Sequence, residues 1–157
     1  MSLRLIQKQV VVKKVGLKMN ILFMCVANSA RSQLAEGLAK SLFGDDVEIE
    51  SAGSKPSKVN PLAVEAMKEV GIDLSNHYSK TADNLSPRFL VKLDYVITLC
   101  AEEVCPVLVS KAKKLHWPMP DPAGHGEMSH EEQLQLFRVT REEIKKKLIV
   151  FKNELNL

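Results

Sequence analysis

The chain has 157 residues, and 22 Lys or Arg against 19 Asp or Glu leave a formal net charge of +3. That is the length of one ordinary domain, and 45% apolar with 26% charged residues describes a folded globular chain rather than a disordered one. So small a charge gives no ground for nucleic acid or a membrane surface as partner, and no apolar stretch approaches the ~20 residues that cross a bilayer.

Residues 1–18 are basic and partly apolar (Leu3, Leu5, Ile6, then Val10 to Val12). They lack the long apolar core and small-residue cleavage site of a secretory signal, so a cytoplasmic location is expected. Met19 stands directly before the first strand-like run. The chain therefore divides into an N-terminal extension of uncertain origin, 1–18, and one domain, 19–157. Three cysteines without a signal argue against a structural disulfide framework and leave nucleophilic or redox work for them.

Asn20 to Met24 is short, apolar and bounded by polar residues, the pattern of a buried parallel strand. Arg31 to Phe43 reads as a helix with Leu34, Leu38 and Leu42 on one stripe and Gly44 as its stop. Val47 to Ala52 alternates like a strand and ends at Gly53. Pro61 to Val70 reads as a helix capped by Asn60, opened by Pro61 and closed by Gly71. Ser86-Pro87 starts a further short helix. Tyr95 to Leu99 is the next buried strand, and Leu115 to Trp117 the fourth. Ser129 and Glu132 form a capping box for a last helix whose apolar stripe is Leu134, Phe137, Ile144, Leu148 and Phe151. Strands alternating with helices predict an α/β fold: a single-domain four-stranded parallel sheet with helices on both faces. Ligands of such sheets sit at the carboxyl ends of the strands, where Cys25, Cys100 and Asp121 all fall.

The most informative stretch is Ile21 to Ser32, I-L-F-M-C-V-A-N-S-A-R-S. A strand ends in Cys25, five loop residues follow, and Arg31-Ser32 opens a helix. The N–H groups of Val26, Ala27, Asn28, Ser29 and Ala30, with the helix N-terminus behind them, suit an oxyanion. Arg31 can grip two oxygens of a tetrahedral anion in its planar fork. The same positive field favours the thiolate form of Cys25. The plain alternative is a buried cysteine at a strand end beside a solvated arginine.

C-V-A-N-S-A-R-S-Q-L-A-E-G at Cys25 to Gly37 resembles the phosphate-binding loop of low-molecular-weight protein tyrosine phosphatases and of the arsenate reductases that share their fold. The resemblance continues through Ser51 to Gly53, Asn60 to His77, Val96 to Cys100 and His116 to Ala123. It thus spans nearly everything from Met19 onward, with the motifs in family order. It implies a Cys25 nucleophile, an oxyanion cradle of residues 25–32, Ser32 donating a hydrogen bond to the Cys25 thiolate, Asn28 bracing the loop, and Asp121 as the acid.

Two neighbouring activities share that machinery. A phosphatase would attack phosphorus with Cys25, hold the oxygens with Arg31, and protonate the leaving phenolate with Asp121. A reductase would make the same attack on arsenic, which accepts an electron pair and so calls for further thiols. Resemblance to thioredoxin-coupled arsenate reductases implies that Cys100 attacks the Cys25 adduct and Cys105 resolves the bridge. Gln33 stands where the phosphatases usually have proline, and Ala123 where many carry a tyrosine. Arsenate reductase is therefore the expected activity, with residual phosphatase activity and thioredoxin or glutaredoxin as electron donor. The alternatives are a low-molecular-weight phosphatase and a non-catalytic oxyanion-binding domain. A monomer without cofactor is expected, and neither nucleotide-binding glycine motif occurs.

Some features depart from the family pattern. The usual glycine and second cysteine of the loop are Ala27 and Ala30, and Ala27 would cost ~1 kcal/mol were its φ positive. The Cys100 to Cys105 loop is shorter than in the thioredoxin-coupled members. Cys100 and Cys105 also match half a zinc site, for which His116 and His125 are poorly spaced partners, so no metal is expected. Some members hold potassium near the loop, and Asn28, Glu36 and Ser51 fit its polar ligands. Lys80, however, stands where an acid is expected, and its ammonium is expected to take the cation's place.

Overall fold

The computed structural model describes residues 18–101 and 104–157. The extension expected at 1–18 falls outside the described residues except for Lys18. Four strands, β1 (Met19–Cys25), β2 (Val47–Gly53), β3 (Leu93–Thr98) and β4 (Lys113–His116), form one sheet in the order β2-β1-β3-β4, every pair parallel. Four α-helices complete it: α1 (Arg31–Phe43), α2 (Pro61–Lys68), α3 (Pro87–Val91) and α4 (His130–Glu154).

Every residue of β1 is buried, as a central strand covered on both faces requires. Alternation along it splits the core in two. Ile21 and Phe23 join Leu34 and Leu38 of α1, Ala66 and Met67 of α2, and the stripe Leu134, Phe137, Ile144, Leu148 and Phe151 of α4. Leu22 and Met24 point the other way, onto Phe89 of α3 with Leu85, Leu93 and Val96. Phe151 meets Tyr95 and Trp117 edge-on, with centroids 5.0 and 5.6 Å away, and such pairs add ~1 kcal/mol each beyond their burial. None of the described helices is long and apolar enough to cross a membrane.

The expected boundaries hold for α1 and for the starts of α3 and α4, and shift at α2, β3 and β4. α2 ends at Lys68 rather than Val70, because its last turn tightens: Val70 N–H reaches the Met67 carbonyl. Gly71, at φ 77°, then closes the helix as expected. Its N–H bonds the Lys68 carbonyl while Ile72 N–H bonds Met67, the paired pattern of a left-handed cap. β3 starts two residues earlier than Tyr95 and ends at Thr98. β4 is Lys113–His116, not Leu115–Trp117; it is an exposed edge strand, where lysines are tolerated and apolar patterning is weak. The capping box is present, with Ser129 Oγ accepting from Glu132 N–H and Glu132 Oε1 from Ser129 N–H.

A surface cluster ties α2 to α4. The Glu69 carboxylate accepts from Arg138 Nε and Nη2 and from Arg141 Nη1, and these bonds, Arg138 foremost, hold its pKa at about 2 against an ordinary 4.5. A carboxyl depressed in the folded state contributes stability above its unfolded pKa and loses it as pH falls through the folded one. The stability gap between the parent and Glu69→Gln should therefore be constant above about pH 5 and close toward pH 2. Urea unfolding across that range measures it.

Candidate active site

Cys25 ends the central strand, in register with Gly53 of β2, and α1 begins six residues later at Arg31. The carbonyls of the intervening loop are all taken by donors outside it. Val26 O accepts from Lys55 N–H (2.9 Å), Ala27 O from Ser57 N–H (3.1 Å), Asn28 O from the Ser79 hydroxyl (2.6 Å), and Ser29 O from Asn60 N–H (2.9 Å). Ala30 O accepts from Leu34 N–H inside the helix. In a trans peptide the C=O of one residue and the N–H of the next point in opposite directions. Tying the carbonyls of residues 26–30 outward therefore turns the N–H groups of residues 27–31 inward, where an anion would sit.

The loop reverses at Asn28, whose φ of 48° is a left-handed conformation that asparagine tolerates better than most residues. Ala27 does not carry a positive φ, so the cost of an alanine there does not arise. The Asn28 side chain uses all its hydrogen-bonding positions. Nδ2 donates to Ser32 Oγ (2.7 Å) and Ser51 Oγ (3.0 Å), and Oδ1 accepts from Lys80 N–H and Gln33 Nε2 (both 3.1 Å). Ser51 in turn donates to Glu36 Oε1. Ser32 Oγ, which accepts from Asn28, lies 2.8 Å from Cys25 Sγ and donates to it when Cys25 is a thiolate with no proton of its own to give.

Arg31 is 5% exposed. Its Nη1 donates to the carbonyls of Met119 (2.9 Å) and Leu99 (3.5 Å), which aims the guanidinium across the strand ends. Nη2 lies 3.8 Å from Asp121 Oδ2. Asp121 itself is half-exposed, with Ala123 N–H on its carboxylate and the His125 ring on its carbonyl. Trp117 and Met119, bonded to Thr98 and Leu99 carbonyls, bring this segment back to the sheet edge.

Cys100 is fully buried two residues beyond Thr98, which pairs with Met24 on β1. It is disulfide-bonded to the half-buried Cys105, with Cα atoms 5.5 Å apart, while Cys25 is a free thiol. So all the predicted site residues gather at one edge. His116 instead bonds Thr98 Oγ1, away from the cysteines. A surface cleft of about 670 Å³ between Asn20 and Asp94 lies at the opposite ends of the strands and contains none of them.

Several contributors escaped the sequence reading. Gln33 locks the loop through Asn28 O and Tyr78 O and receives the His77 ring, whose pKa burial pushes down. Ser79 and the carbonyls of Leu99 and Met119 have no sequence signal, since their roles exist only after folding. Gly53 owes its place to the loop packed against it. A Cβ there would lie 2.4 Å from Val26 O and 2.9 Å from Asn28 N, both backbone atoms of the loop.

A strand-end thiol beside an amide-lined loop and a buried arginine defines an oxyanion-binding, thiol-bearing α/β domain. The chain belongs to the family described as low molecular weight phosphotyrosine protein phosphatase, which it matches over residues 20–157. It is 44% identical over 133 residues to an arsenate reductase of Halalkalibacterium halodurans, covering 83% of this chain and 93% of that one. Identity is also 44% to arsenate reductase 1 of Staphylococcus haemolyticus, over 88% and 98% of the two chains. A structure described as an arsenate reductase in the phosphate binding state superposes with a TM-score of 0.69 at 30% identity, covering 87% of this chain and 98% of that one. The thioredoxin-dependent arsenate reductase Cg_ArsC1' of Corynebacterium glutamicum gives 0.58 at 28% identity, over 92% and 71%.

Gly53→Ala forces the loop backbone aside, a displacement expected to cost ~1–3 kcal/mol, or ~5–150-fold in phosphate affinity. Titration calorimetry with phosphate, alongside circular dichroism to establish that the sheet survives, measures that loss.

Proposed function

We propose that this chain is a thiol-dependent arsenate reductase, and the observation that carries the reading is the Cys100–Cys105 disulfide at the same strand ends as the free Cys25 thiol. Cys25 attacks arsenic of an arsenate held by the inward N–H groups and Arg31. The S–As bond forms, and an arsenate oxygen leaves as water after taking a proton from Asp121. The Cys100 thiolate then attacks Cys25 Sγ. The S–S bond forms, the S–As electron pair passes to arsenic, and arsenite departs. Cys105 attacks Cys100, leaving the Cys100–Cys105 disulfide and a free Cys25 thiolate. Two electrons reach arsenic, and two thiols have become one disulfide.

An external dithiol must restore the pair. Cys100 is buried and Cys105 is half-buried, so the incoming thiolate attacks Cys105. A thioredoxin-type protein fits this role, and the named dependence of the Corynebacterium relative favours it over glutaredoxin. The enzyme is expected to act as a cytoplasmic monomer. Arg31 and Asp121 stand 3.8 Å apart at the mouth, which also favours slow hydrolysis of aryl phosphates. Ala123 supplies no phenol ring next to Asp121-Pro122 to stack on the aryl group, so hydrolysis is the lesser activity.

Reduced protein given one portion of arsenate without added thiol should release arsenite and yield a Cys100–Cys105 bridge on a peptide map; three intact thiols would favour the phosphatase. Cys105→Ser should trap a Cys25–Cys100 bridge and lower steady-state turnover at least ~100-fold, the loss of the step that frees Cys25. Cys25→Ser should abolish both arsenate and aryl phosphate chemistry.

A further inference from the structure

Beneath the loop lies a charged cluster that the proposed chemistry does not use. Glu36, on the second turn of α1, is 3% exposed, and Lys80 is 5% exposed. A carboxylate removed from water needs compensation on each oxygen. Glu36 Oε2 takes Lys40 Nζ at 2.6 Å, with His77 Nδ1 at 3.6 Å. Oε1 takes the Ser51 hydroxyl, with Lys80 Nζ at 3.8 Å. Lys40 is largely solvent-accessible, so its charge is screened, whereas that of Lys80 is not. Burial opposes ionisation of Glu36, yet the bonds from Lys40 and Ser51, with His77 and Lys80 beside it, hold its carboxyl below the usual value.

The neighbours of the Lys80 ammonium are all electron-rich. Besides Glu36 it meets the Tyr78 carbonyl at 3.5 Å and the face of the Tyr78 ring, 4.9 Å to the centroid. A bound potassium ion does not fit beside it. Asn28 Oδ1 is already filled by Lys80 N–H and Gln33 Nε2, and Asn28 turns its Nδ2, a donor, toward Ser51. Glu36 is already matched by two lysines, whose charges also act on a second, half-buried carboxylate, Glu50. Among the described residues no group of three or more His, Cys, Asp or Glu could hold a metal ion.

We infer that Lys80 is a positioning residue whose ammonium is a built-in monovalent cation for Glu36, making the loop independent of alkali ions in solution. The consequence runs through the fold in one direction. The ionised Glu36 can only accept, so Ser51 must donate to it and must accept from Asn28 Nδ2. Asn28 then presents its second Nδ2 hydrogen to Ser32, which leaves the Ser32 proton for Cys25. Removing the cation loosens the charged anchor of that order and leaves only the donors to Asn28 Oδ1, Lys80 N–H and Gln33 Nε2, to hold it.

The test reads Cys25 itself, so it does not depend on arsenate reduction being the activity. In the Cys100–Cys105-bridged protein Cys25 is the free thiol, and its rate of alkylation by iodoacetamide at neutral pH reports the thiolate. Rates are compared in choline, sodium, potassium and ethylammonium chlorides at one ionic strength. The parent should be indifferent to the cation. Lys80→Ala should react at least ~5-fold more slowly in choline, a charge-assisted contact having been removed, and recover in potassium or ethylammonium. Lys80→Arg should stay close to the parent in all four. An unchanged Lys80→Ala, a loss that no cation restores, or a parent that potassium accelerates would each overturn the inference. Should Lys80→Ala fail to fold, the parent and Lys80→Arg decide: potassium binding to the parent by calorimetry, or a Lys80→Arg that slows and then responds to potassium, overturns it.

Discussion

The site depends on the rigidity of the peptide unit. A short loop can offer several N–H groups to one anion only if its carbonyls have somewhere else to go, and planarity then orients the amides without further expense. Here the carbonyls of Val26, Ala27, Asn28 and Ser29 are taken by Lys55, Ser57, Ser79 and Asn60, three of them from the segment between β2 and α2 and Ser79 from the one between α2 and α3. The loop is thus shaped from outside, by chain far from it in sequence. Gly53 shows how tightly: it lacks a Cβ where one would strike the loop backbone.

Within that frame the side chain of Asn28 serves as the hub. Its amide has two donors and two acceptor positions, and together they reach three elements: α1 through Ser32 and Gln33, β2 through Ser51, and the segment before Thr81 through Lys80. A serine or aspartate could not fill the same four roles, because neither carries an NH₂ group beside an acceptor oxygen. The left-handed backbone at Asn28 is strained for most residues, and this network is what holds it. The buried Glu36 and Lys80 extend the same network downward, so the orientation of one serine proton at the surface of the loop rests on charges inside the domain.

The three sulfurs are graded by position. Cys25 and Cys100 follow neighbouring strands and are buried, while Cys105 lies in a segment with exposed Val104, Val107 and Val109. A parallel sheet brings the first two together because adjacent strands end on the same side. The third is free to differ in exposure because it belongs to no strand. That asymmetry gives a relay its direction, from the enclosed oxyanion site toward a partner in solution.

Much of this was legible in the sequence. Apolar strands between helices, the caps at Asn60 and Ser129, and Gly71 set the α/β architecture through local patterns that need no partners. The polar edge strand β4 was misplaced for the same reason, since an exposed edge imposes little pattern. Cys25, Arg31, Ser32, Cys100, Cys105 and Asp121 were recognisable as chemistry-bearing residues from type, spacing and order along the chain. What only the tertiary structure decided is how those groups are held and pointed. The positive φ fell to Asn28 rather than Ala27, Arg31 is aimed by the carbonyls of Leu99 and Met119, and Gln33 and Ser79 lock the loop. Those roles are played by backbone atoms and long-range contacts, whose identity no residue type reveals until the chain has folded.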